Sequence, residues 1–368
     1  SVNDRLVSEA ISHAVDLDQY GTGVVRRMLA LLNRVDADLF ARLTAALGNL
    51  DAESFTVERL ESLLMSVRTM HAQAYLQLER ALTNELREFV AAEWGYQQQL
   101  LPSVGVPLSF GTGVATAEQV YAAAMSRPFQ GRLLSEWASG IEAQRMTRIR
   151  DAVRIGYVEN ESVQQIVRRV RGTRAAGYSD GLIEIDRRHA EAVVRTAVQH
   201  VAAVAQDRMI EANLDLIKAV QWHAKLDLRT SPTCRVRDGL LYTPDTHKPI
   251  GHKVPWLSGP GRSHWNCRSL AVQMLKSFEE VTGIAGVGEI PVGTRASMDG
   301  ALPADLTYGQ WLQKQSAARQ DEVVGPTRGA LMREGKLPFD ELYSRRGEML
   351  TLDQLRERNG AAFKRAGV

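Results

Sequence analysis

Apolar residues recur at three- and four-residue steps over most of the first 220 positions, which predicts helices packed through one face. From Val57 to Trp94, Leu60, Leu63, Leu64, Val67, Ala74, Leu78, Leu82, Leu86 and Phe89 keep that step, with Glu58, Glu61, Arg68, Glu79, Arg80 and Glu85 between them. No proline interrupts the run, and a helix of that length would extend roughly 50 Å at ~1.5 Å per residue. A shorter helical pair is predicted ahead of it, with Val24, Val25, Met28, Leu29, Leu31 and Leu32 on one arm. Leu39, Phe40, Leu43 and Leu47 form the other, ended by Gly48-Asn49.

The passage from Leu101 through Pro107 to Gly113 reads as a loop, and Thr116-Ala117-Glu118-Gln119 as a capped helix start. Helical pattern resumes from Leu133 to about Val170 with an interruption at Gly156, and again from His189 to Val220. Past Leu270, the Gly/Val/Pro-rich stretch from Thr282 to Val292 reads as strand or loop, and residues 307–356 as short helices separated by turns. The class predicted is mainly α: an elongated helical N-terminal region, a small α+β, loop-rich central domain and a short helical tail. The corresponding boundaries are 1–100, 101–220, 221–292 and 293–368.

Composition narrows the function. A chain of 368 residues is expected to form two or three structural units. Its formal net charge of +2 offers no whole-chain case for nucleic acid. Locally, ten arginines face six acids between Arg145 and Arg188. That excess fits either a solvated helix face or a phosphate- or partner-binding surface, with Arg168, Arg169, Arg171 and Arg174 as the candidate contacts. Two cysteines suit a reducing compartment. The N-terminal residues lack a signal peptide's apolar run, and no stretch reaches the ~18 apolar residues of a membrane span.

The stretch from Gln221 to Leu270 departs from the helical pattern. It holds both cysteines, three of the six tryptophans and four of the eight histidines. Cys234, His264 and Cys267 have ligand chemistry, and His264-x-x-Cys267 is a spacing by which one knuckle presents two ligands. A fourth ligand would come from His223, His247, His252, Asp227 or Asp238. One structural zinc, a Cys234–Cys267 disulfide and two packed thiols all remain open readings. The same residues suggest a Cys-His nucleophile pair or a metal-dependent nuclease only incompletely, since no histidine follows His264. Asp227, Arg229 and Asp238 lie in segments with turn chemistry.

Trp222, then Leu226-Asp227-x-Arg229-Thr230-Ser231-Pro232-x-Cys234-x-x-Arg237-Asp238-Gly239, then Pro260 and His264-x-Asn266-Cys267-Arg268, resembles the head-morphogenesis domain of tailed-phage minor head proteins. That family is typified by the phage Mu F protein and the phage SPP1 minor head protein. Flanking segments from about residue 120 to 360 are similar as well, including Arg127-Pro128-Phe129-Gln130-Gly131 and Tyr308-x-x-Trp311-Leu312. In one respect the chain departs from the pattern: many members have a second cysteine two residues after the first, where this chain has Ser269.

The resemblance implies a non-enzymatic head component present in several copies per virion, inside the capsid near the portal vertex, acting in head assembly and in DNA packaging or ejection. It also implies the portal protein as partner, with the major capsid protein and packaged double-stranded DNA as further candidates. The motif residues Trp222, Asp227, Arg229, Asp238 and Gly239 are then structural, and 1–100 is the candidate portal-docking region. A nuclease acting on phage or host DNA is the alternative.

Overall fold

A computed structural model describes residues 2–48, 56–106, 115–277, 294–303 and 305–368. The fold is mainly helical, as the hydrophobic pattern predicts, and the α+β region expected at its centre contains a small antiparallel sheet. It divides into two compact units, one of residues 1–18, 92–120 and 202–368, the other of residues 19–91 and 121–201. The readings at Pro107, Gly111–Gly113 and Thr282–Val292 lie outside the described residues.

Helix α1 spans Val2–Gly48 and α2 spans Val57–Ser103. Thr56 caps α2, its Oγ1 accepting from Arg59 N at 3.2 Å. In the second unit these helices run antiparallel: Arg27 pairs with Glu85, Tyr20 stacks on Phe89 at 4.7 Å, and Leu39, Leu43 and Leu47 share a core with Leu60, Leu64 and Val67. The pair of short helices expected before α2 is therefore one continuous helix. Between the two expected arms Asp36 is buried and accepts hydrogen bonds from Arg145 and Arg187. A tertiary partner thus holds a residue of poor helix propensity inside the helix.

Helix α3 (Ala117–Ser126) starts as predicted. Thr116 Oγ1 accepts from Gln119 N at 3.2 Å, and Gln119 Oε1 accepts from Thr116 N at 2.8 Å. Helix α4 (Leu134–Val158) and α5 (Val163–Arg171) are separated after Val158 rather than at Gly156. Ser162 and Gln165 form the capping box that opens α5. Gly156 stays inside α4 because Ile166 packs against its Cα: an added Cβ would lie 2.4 Å from Ile166 Cγ1.

Helix α6 (Leu182–Glu211) ends before the Val220 expected of it. Asn213 turns the chain, accepting at its carbonyl from Leu216 N and Ile217 N. The next residues form β1 (Ile217–His223). Five of its seven residues are buried, so it carries no period-2 signal to distinguish it from the end of a helix.

In the first unit β1 is central to an antiparallel sheet of order β3-β2-β1-β4, with β2 at Leu241–Tyr242, β3 at Pro249–Ile250 and β4 at Leu270–Leu275. The register pairs Trp222 with Ala271 and His223 with Leu270. A single core joins Trp222, Tyr242, Trp256, Cys234 and Cys267 of this region to Leu6, Val7 and Ala10 of α1 and Leu100 and Leu101 of α2.

The hairpin of β5 (Thr294–Ser297) and β6 (Gly300–Pro303) follows. The tail then folds as α8 (Tyr308–Gln313), α9 (Ala317–Val324), α10 (Pro326–Arg333) and α11 (Leu352–Ala366), close to the predicted short helices. Its core of Tyr308, Trp311, Leu312, Leu331, Leu342 and Leu355 also takes in Leu226 from the segment after β1.

Candidate functional site

The segment after β1 is built on two carboxylates. Asp238 accepts from Ala224 N at 2.8 Å, from Tyr308 N at 2.6 Å and from both terminal nitrogens of Arg295. Arg295 also donates to Ala224 O at 2.6 Å and Leu306 O at 2.8 Å. The end of β1, the hairpin and the start of α8 therefore meet at one buried side chain. Gly239 follows at φ +82°, a left-handed conformation in which a side chain is strained, and its N–H donates to Trp222 O at 2.8 Å.

Asp227 is the second anchor. Its carboxylate accepts from Arg268, from Thr230 Oγ1 at 3.1 Å and from Arg229 N at 3.1 Å, and its carbonyl accepts from Tyr308 Oη at 2.8 Å. Burial works against its ionisation, but the hydrogen bonds and charge of Arg268 prevail and hold the carboxyl below its usual range. The two halves of the sequence motif are thus tied by an Asp227–Arg268 fork. Arg229, by contrast, is exposed and contributes only its backbone N–H here.

Trp222 is fully buried, with Trp256 edge-on at 5.3 Å and the Arg237 guanidinium 5.7 Å from its ring centroid. Arg237 in turn donates to Pro255 O and Thr233 O, fastening the loop over the tryptophans.

Cys234 sits on the single-turn helix α7 (Pro232–Arg235), whose N-cap is Ser231, and His264 and Cys267 sit on a knuckle 30 and 33 residues later. Asn266, at φ +55°, supplies the sharp bend of the knuckle. Cys234 Sγ lies 3.6 Å from Cys267 Sγ and 3.1 Å from His264 Nε2, and all three donor atoms fall within 4.8 Å of one another. Among the described residues, His223 is not part of this group. Its Nε2 is bonded to Gln221 Oε1 at 2.8 Å, and burial, with the Arg295 charge added, pushes its pKa down to about 4.

The other proposed fourth ligands also lie outside the group among the described residues. His252 bonds Leu241 O at 2.8 Å, and His247 stacks on Trp256 at 4.5 Å. An additional oxygen, Ser231 Oγ, lies 2.7 Å from His264 Nε2. Cys234, hydrogen-bonded to Cys267 and buried, has its pKa pushed up. Cys267 is correspondingly lowered, chiefly by that bond and, against its burial, by His264.

The four candidate arginines divide. Arg169 is held by Glu159 and Glu161, and Arg171 lies over the rings of Phe40 and Tyr178, at 5.5 and 4.9 Å. Arg168 and Arg174 are exposed, with no ion pair among the described residues.

Sequence reasoning missed Arg295, Tyr308, Ser231 and Ser269 as parts of the site. Arg295 stands alone beyond the motif, so nothing local marks it as the partner of Asp238. Ser269 was noted only as a missing cysteine. It is buried beside the two cysteines, where its hydroxyl favours the thiolate of Cys234 and its backbone N–H that of Cys267.

No curated protein and no solved structure matches the chain. Residues 145–272, running from α4 through both halves of the motif into β4, match the family model described as Phage Mu protein F like protein, and this supports a phage minor head protein family.

Proposed function

We propose that the chain is a structural, non-catalytic component of a tailed-phage head, present in several copies on the inner side of the portal vertex, where it acts in head assembly and in DNA packaging and ejection. The observation that carries this reading is the family match over the motif. The use made of the motif's acids supports it: Asp227 and Asp238 are committed to Arg268 and Arg295 and to backbone N–H groups, which is how carboxylates hold a scaffold together. The portal protein is the primary partner, through the helical region 1–100, with the major capsid protein adjacent. Arg168 and Arg174 face packaged DNA or the portal.

The test is biochemical fractionation of virions of the encoding phage. Recovery of the chain with the portal when capsids are dissociated stepwise is expected. So are heads that assemble or retain DNA poorly when the gene is deleted. A chain absent from virions overturns the reading. Metal-dependent DNA cleavage abolished by His264→Ala would replace it with the nuclease.

A further inference from the structure

The geometry points to a divalent metal site formed by Cys234, His264 and Cys267, with an open fourth position at Ser231. The inference is independent of the head-protein reading. Tetrahedral zinc with Zn–S of about 2.3 Å and Zn–N of about 2.0 Å sets its ligands about 3.8 Å apart for two sulfurs and about 3.5 Å for sulfur and nitrogen. The observed separations of 3.6 Å between the sulfurs and 3.1 Å between Cys234 Sγ and His264 Nε2 require only small outward shifts. A disulfide would instead need the sulfurs to close to about 2.05 Å.

The surroundings are those of a ligand set. His264 Nδ1 is 2.9 Å from Trp265 O, so it carries the proton and leaves the Nε2 lone pair directed at the thiols, the usual way a metal-bound imidazole is fixed. Both sulfurs belong to residues at most 1% exposed.

Binding a divalent ion sends the thiol protons to solvent and leaves two thiolates and a neutral imidazole. The loaded site is then electrically neutral, which suits its burial. Ser231 Oγ, now bonded to Nε2, turns aside or becomes the fourth oxygen donor, with a water as the substitute. The ion would clamp α7 to the knuckle, closing the segment in which the strands β2 and β3 have only two residues each.

The experiment is metal analysis of the purified full chain after dialysis against zinc, with a free-thiol count and the absorption spectrum of the cobalt-substituted protein. About one zinc per chain is expected, together with the intense bands of a tetrahedral cobalt thiolate. The metal should be lost in Cys267→Ser and His264→Ala and kept in His223→Ala and Ser231→Ala. The wild-type cobalt spectrum carries the assignment even if the buried Cys267→Ser variant does not fold. A zinc-free chain with two reactive thiols overturns the site, as does a Cys234–Cys267 disulfide. Zinc retained by folded Cys267→Ser, or lost in His223→Ala, overturns the ligand set.

Discussion

Arg295 and Asp238, 57 positions apart, form a buried two-point ion pair, with Nη2 to Oδ1 at 3.0 Å and Nη1 to Oδ2 at 3.1 Å. Because Asp238 also takes the N–H groups of Ala224 and Tyr308, its loss would strand a cation and two donors in a buried site. Asp238→Asn or Arg295→Met should each cost about 3–5 kcal/mol, since either leaves a buried partner uncompensated. The double variant should cost clearly less than the sum. Chemical denaturation of the four proteins checks this. Additive losses would mean that the pair does not hold the hairpin and α8 to the end of β1.

Gly156 and Ile166 make a second close relationship, in the other unit. An added Cβ would meet Ile166 Cγ1 at 2.4 Å and Cδ1 at 2.8 Å, so Gly156→Ala should destabilise by about 1–3 kcal/mol despite alanine's better helix propensity. Removing the obstructing atoms with Ile166→Ala should make the pair of changes less costly than their sum. A stabilised Gly156→Ala, seen in a thermal melt, would show that α4 and α5 are not packed this tightly.

These two cases mark what the sequence could and could not convey. Periodicity located the helices and the tail, and the Thr116 and Ser162 boxes mark starts of helices through short-range chemistry that a sequence displays. Asp36 holds one continuous helix through Arg145, a partner 109 positions away that no window around it contains, and Gly156 stays helical while the break falls after Val158. β1 was hidden for a related reason: burial on both faces erases alternation. In the site, residue type and spacing singled out Cys234, His264 and Cys267. The replacement of His223 by Ser231 beside them is a matter of tertiary geometry, since β1 directs His223 to Gln221.

The arginines of α5 and the following turn should respond differently to the same charge reversal. Arg168→Glu with Arg174→Glu alters two exposed side chains and should leave the melting temperature nearly unchanged. If this surface meets double-stranded DNA, the salt slope of binding should fall by about two. Arg169→Glu would instead set three acids together at Glu159 and Glu161 and loosen the α4–α5 connection. A salt slope unaltered by the double reversal would remove DNA from this surface and leave the portal as its partner.

His71 supplies a pH dependence. It is fully buried, both ring nitrogens lack hydrogen-bond partners, and it stacks on Tyr75 at 4.9 Å. Burial first, and the Arg145 charge second, push its pKa down to about 3. Glu142 Oε1, 4.0 Å from Nδ1, is too distant to form the hydrogen bond that would favour the charged ring. The unfolded chain takes up a proton near pH 6.5 that the folded chain refuses until about pH 3, so stability falls as pH drops through that window. The expected loss is up to about 1.4 kcal/mol per pH unit for this one group. His223, lowered to about 4, adds a loss of the same sign that persists in a His71→Leu variant. Urea denaturation between pH 7.5 and 5 should therefore show a steep slope in the wild type and one reduced by about one proton in His71→Leu. Equal slopes would mean that the folded chain already carries a protonated His71, with Glu142 close enough to pair with it.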